Sequence, residues 1–179
     1  MLYAFGFDRL GVVVCDLFFA DPDPLPGQES AERGVRLELR MLERGALRGG
    51  IYSAQPVAVD RPIWRCDLLE SVDGPPGSFD RTHHHPRFEG WEPGGRVFVE
   101  ALSADPLGWL RARLDDPASL LAEAGVDLAE LGPGDVAGLR GTAPEIVDVT
   151  ASLLARVRAG ELGRPAPDQP LHDHRAGWL

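Results

Sequence analysis

The sequence predicts an α+β fold: an N-terminal antiparallel β-sheet or barrel-like unit of about six strands, with C-terminal helices packed on it. Three observations predict it. Up to residue 103, apolar and polar residues alternate with a period of two, and after 103 the apolar residues recur at helical spacing. Proline- and glycine-rich turns (DPDPLPG at 21–27, LRGG at 47–50, DGPPG at 73–77, EPGG at 92–95) separate the runs of the first part. Asp-Pro starts and glycine stops bracket those of the second. Residues 1–160 read as one domain, β-rich over 1–103 and helical over 104–160. Residues 161–179 read as an extended or mobile tail, in which Trp178 is a candidate for docking back onto the body.

Tyr3, Phe5 and Phe7 alternate in a first strand. Residues 11–19, GVVVCDLFF, are apolar on both faces except at Asp16, so they predict a central strand covered on both sides. Asp16 is then either a buried, hydrogen-bonded carboxylate, with Arg61 or Arg65 as a partner, or a bulge residue facing solvent. The run GVRLELRMLER puts Val35, Leu37, Leu39 and Met41 on one face and Arg36, Glu38 and Arg40 on the other, a half-buried strand. Further strands are expected over 51–59, 63–70 and 96–101. In 63–70, Trp64, Cys66 and Leu68 oppose Arg65 and Asp67.

Asp105-Pro106 and Asp116-Pro117 each pair an N-cap acceptor with a proline in the first turn, where the missing N–H loses nothing. Leu107, Leu110 and Leu114 follow in the first of these helices; Leu120, Leu121 and Ala124 follow in the second, which stops at Gly125. A third helix is expected over 143–159. Thr142 and Glu145 there form a T-x-x-E capping box, and Gly160 follows the end. Its apolar stripe of Ile146, Val149, Leu153, Leu154 and Val157 has to cover one face of the sheet.

Composition narrows the function classes. Hydrophobic residues at 44% and charged residues at 26% exclude a wholly disordered chain. All 18 basic residues are arginine, with no lysine or asparagine and only three isoleucines, the signature of a GC-rich genome rather than of arginine-based recognition. The net charge of −10 is evenly spread and argues against a nucleic-acid or anionic-membrane surface. Asp8 and Asp16 interrupt the apolar N-terminus and no basic segment precedes it, so a cytoplasmic location is expected. Cys15 and Cys66 then remain reduced, buried thiols.

The chemistry concentrates in GSFDRTHHHPRFEGWEPGG, residues 77–95. Pro86 biases His85 toward an extended conformation. In an extended segment His83 and His85 share a face, about 6.5 Å apart along the chain, and His84 points the other way. Two imidazoles so placed, with Glu89 four residues on, make a two-His, one-carboxylate set with open positions, suited to Zn, Mn or Fe as divalent ions. Other readings stay open: exposed or hydrogen-bonded histidines on a turn, or metal-free acid–base use. Asp80-Arg81 is either support orienting an imidazole or turn chemistry. Trp64 and Trp91 are read as core or pocket wall. His172-x-His174 repeats the spacing in the tail.

The spacing of Gly77, His83, His85 and Glu89 resembles the first signature motif of the cupin superfamily, over residues 77–95. That resemblance implies a metal held by His83, His85 and Glu89 in a small β-barrel. The chain departs from the pattern: the closing glycine falls one residue early, at Gly95, and Pro106-x-Gly108 is followed by Arg111 where the second motif has a histidine. The whole chain also resembles uncharacterised small β-plus-α proteins of high-GC actinobacteria, a resemblance that implies no activity. The leading expectation is a metal- or small-ligand-binding β domain. The alternative is a non-catalytic protein-interaction module, antitoxin-like or regulatory, binding a protein partner through an open sheet edge or forming a homodimer. Neither expectation specifies a catalysed reaction.

Overall fold

The computed structural model describes residues 1–24 and 26–165. Its first half is an antiparallel meander of β1 (Leu2–Gly6), β2 (Leu10–Phe19), β3 (Glu32–Arg44), β4 (Val57–Ser71) and β5 (His83–His85), in the order β1-β2-β3-β4-β5. The sheet is open, with β1 and β5 as its edges. A separate two-stranded ribbon, β6 (Phe88–Glu89) and β7 (Glu92–Pro93), follows it. Four α-helices follow among the described residues: α1 (Glu100–Ala104), α2 (Pro106–Asp115), α3 (Pro117–Glu123) and α4 (Asp135–Arg158). Among the described residues no helix is long and apolar enough to cross a membrane.

Register explains which residues meet. Val12 pairs with Leu39 and Leu39 with Trp64; Val14 pairs with Leu37 and Leu37 with Cys66. These rows form the face under the helices, where they join Leu110, Leu114, Leu139, Ile146 and Leu153 in one core. Two rows run across the opposite face: Cys15–Arg36–Asp67–His83 and Val13–Glu38–Arg65–His85. Gly34 lets β3 approach β4 closely, because a Cβ there would overlap the carbonyl oxygen of Leu68.

Asp105 and Asp116 cap α2 and α3 as the sequence predicts, accepting from the amides of Gly108 and Ser119. Several boundaries differ. Of residues 51–59 only 57–59 are strand, the first residues of β4. Residues 96–101 contribute one bridge, in which Val97 exchanges two backbone hydrogen bonds with His84, and α1 begins at Glu100. Because β5 is only three residues long, it cannot support a full sixth strand. The helix expected over 143–159 starts eight residues earlier. Its true start is set by Asp135, whose buried carboxylate accepts from the amides of Asp8, Arg9, Leu10 and Gly132. The T-x-x-E pattern therefore lies inside α4, where Pro144 forgoes one hydrogen bond. Asp16 pairs with the N-terminal amine and the amide of Gly163, not with an arginine. The tail reading falls mostly on residues 166–179, which, with His172, His174 and Trp178, lie outside the described residues.

Candidate metal centre

Arg36, Glu38 and Arg40, expected on a solvated face, are largely removed from water. Glu38 is fully buried and accepts from Arg65 Nε at 2.6 Å and Arg40 Nη1 at 2.7 Å. Arg36 holds Asp67 through both oxygens, Nε to Oδ1 at 2.7 Å and Nη2 to Oδ2 at 3.0 Å. The β6–β7 ribbon roofs this layer: the Arg65 guanidinium lies over Phe88 and that of Arg40 over Trp91. Opposite charges paired directly across strands satisfy groups that would be prohibitive to bury alone.

At the β5 edge the layer ends in His83 and His85. The loop before β5 is pinned by Asp80, which accepts from the Ser71 amide and from the hydroxyls of Ser71 and Ser78. Asp80 thus serves the turn, and it is the backbone carbonyl of Arg81 that orients an imidazole. Extended backbone sends His83 and His85 to the Asp67 side and His84 to the helix side, where its ring lies 5.2 Å from that of Trp109. His83 Nδ1 lies 2.7 Å from the Arg81 carbonyl oxygen, and His85 Nδ1 lies 2.6 Å from that of Gly94. A carbonyl only accepts, so each Nδ1 carries a proton and donates it. The two Nε2 atoms are left as lone pairs facing one another at 3.2 Å.

The third member of the cluster is Asp67. Its Oδ2 is 3.5 Å from His83 Nε2 and 3.8 Å from His85 Nε2. The three residues form a group whose donor atoms could hold one ion. The circle through the three atoms has a radius of about 2.0 Å, matching metal–nitrogen and metal–oxygen bonds of zinc. The mean edge of about 3.5 Å is closer to the ~3.4 Å of a tetrahedral site than to the ~3.0 Å of an octahedral face, both taken at 2.1 Å bonds.

Protonation states suit a cation. Burial pushes the His83 imidazole down to about 4, against the opposing pull of Asp67. Burial lowers His85 as well, and takes His84, helped by Arg113, to about 4. For Asp67, burial works against the charge, yet Arg36, His83 and Arg65 together hold the carboxyl down at about 2. At neutral pH the set is two neutral imidazoles and one carboxylate.

Glu89, the carboxylate singled out from the sequence, is not part of this group. It sits exposed on β6, where the tight turn through Gly90 pairs it with Glu92. The set comes from two paired strands, not from one loop. Asp67 was visible in the sequence only as a member, with Arg65, of the polar face of the strand over 63–70. The signal that selects it is its register opposite His83.

The cluster borders a cavity of about 390 Å³, whose wall includes Glu32, Arg36, Arg65, Trp91 and Arg96. Searches of protein-family models, curated proteins and solved structures find no match to this chain. The fold and the site together describe an α+β protein with a candidate two-His, one-carboxylate centre on the sheet face opposite the helices.

Proposed function

We propose that this protein binds a divalent transition metal, zinc foremost, through Asp67, His83 and His85, and presents the open side of the ion to the cavity. One observation carries the reading: both Nδ1 atoms are committed to carbonyls while the two Nε2 lone pairs converge. That arrangement is repulsive unless a cation lies between them, and carbonyl acceptors behind ligating imidazoles are the usual support of metal sites. Arg36 fixes the orientation of Asp67 and leaves Oδ2 a lone pair to spare. A metal there would polarise a bound oxygen or lower the pKa of a bound water.

The test is metal stoichiometry of the untagged protein after dialysis against zinc, with titration calorimetry for affinity. One equivalent is expected. The double variant H83A/H85A should lose it, D67N should bind at least about 100-fold more weakly, and E89A should bind as the parent does. Circular dichroism verifies that each variant is folded. A folded protein that takes up none of Zn, Mn, Fe, Co or Ni refutes the proposal, and so does loss of metal in E89A with retention in D67N.

A further inference from the structure

The cavity beside the cluster carries a specific pattern of charge and unmet hydrogen bonding. Its wall holds three guanidinium groups, Arg36, Arg65 and Arg96, and three carboxylates, Glu32, Asp67 and Glu92. With neutral imidazoles the wall is balanced, and a bound divalent ion would leave it at +2. Arg36 uses Nε and Nη2 on Asp67, and Arg65 uses Nε on Glu38. That leaves Arg36 Nη1 and both terminal nitrogens of Arg65 with no hydrogen-bond acceptor among the described residues. Arg96 gives one nitrogen, Nη1, to Glu32 Oε1 at 3.1 Å. An acidic chain has thus gathered spare guanidinium donors at one concave site.

Glu32 supplies the opposite need. It is only 3% exposed, and its Oε2 is buried with no hydrogen-bond partner. A buried carboxylate oxygen without a donor is destabilising unless something completes it. Burial accordingly pushes the Glu32 carboxyl above its usual range, against the pull of Arg96.

We infer that the cavity takes a small oxyanion that also carries a hydrogen-bond donor, phosphoryl or hydroxycarboxylate in chemistry, with its oxygens on the guanidinium edges and the bound ion and its donor on Glu32 Oε2. This rests on the metal reading for the ion's share of the charge. Phe19, Leu69, Trp91 and Pro93 also line the wall and give an apolar substituent a place to lie.

Inorganic phosphate and sulfate separate the two halves of the inference, because at pH 7 both are tetrahedral oxyanions but only phosphate keeps a proton to donate. The zinc-loaded full chain is titrated calorimetrically with each. Phosphate should bind saturably and about tenfold or more tighter than sulfate, since a site built around a hydrogen bond rejects the analogue lacking it. E32Q should bring the two within about twofold while keeping its zinc, and R96Q should weaken both about tenfold. Glycolate tighter than phosphate assigns the site to hydroxycarboxylates; the reverse order assigns it to phosphoryl groups. Zinc uptake with no binding of phosphate or glycolate, or with sulfate as tight as phosphate, overturns this inference and leaves the metal site standing. If no metal is taken up, the metal reading falls and the metal-free chain reads the cavity alone: phosphate binding weakened by R96Q supports the inference, and no binding overturns it.

Discussion

The metal-free protein should lose stability in mild acid, by an amount that follows from two buried imidazoles. The folded state holds both His83 and His84 at about 4, against 6.5 for the unconstrained group. Between those values the unfolded chain binds more protons than the folded one. Their contribution is therefore fully present above pH 6.5 and is lost as pH falls toward 4. At pH 5 the linkage amounts to about 2 kcal/mol for each imidazole. Together they should lower the melting temperature by roughly 10 °C in a chain of this length. The lowered His85 acts in the same direction, and Asp67 contributes only below its ordinary range, toward pH 2. The assay is a series of urea and thermal melts in chelator at pH 7.5, 6 and 5. The drop should be about halved in H84L, which removes the helix-side imidazole alone. Zinc should raise the midpoint at pH 7.5 and steepen the fall in acid, because protons then compete with the ion. Constant stability from pH 7.5 to 5 would mean that burial does not hold these imidazoles neutral in the folded state. A rise on acidification would show that a proton, not an empty gap, bridges the two Nε2 atoms.

Two other substitutions probe the frame around the site. D135A should destabilise by about 3 kcal/mol or more, read as a lowered urea midpoint, because four backbone amides lose a charged acceptor that sits entirely out of water; D135N, which keeps one acceptor oxygen, should cost less. G34A should fall at or beyond the upper end of the ~1–3 kcal/mol range of overpacking mutations, since the new methyl meets the Leu68 carbonyl rather than a side chain that can turn aside. A near-neutral melt of the G34A protein would mean that β3 and β4 are not held at this spacing.

The α+β architecture was legible because each half of the chain obeys one period. Val35, Leu37, Leu39 and Met41 all point into the core, as their alternation requires. What alternation cannot convey is what covers the other face. Arg36, Glu38 and Arg40 read as solvated because charged residues usually are. Arg36 and Glu38 are buried because β4 presents Asp67 and Arg65 at matching register, and the two-stranded ribbon lies over this layer and over the half-buried Arg40. The helix start failed for a similar reason. Thr142 and Glu145 make a valid local signal, but Asp135 organises the actual N-terminus through a contact with the β1–β2 turn, far away in sequence. At the site, two of three candidate ligands came from local spacing. The third, Asp67, comes from strand pairing, and proximity in the chain pointed instead to Glu89.

The long reach of Asp135 also bears on how the chain comes to fold. The first hairpin, β1–β2, has three of its turn amides satisfied by a carboxylate some 125 residues further along. The apolar rows of the sheet are covered mainly by α4, with α2 packed against α4 and stacking Trp109 on Trp64 of β4. A nascent chain ending before α4 has every strand of the meander but neither that acceptor nor the full cover. Until α4 arrives it carries an incompletely covered apolar sheet with two open edges, the kind of intermediate that associates with its neighbours. Closure of the fold thus depends on a non-local contact, in which α4 acts as the latch for the first turn.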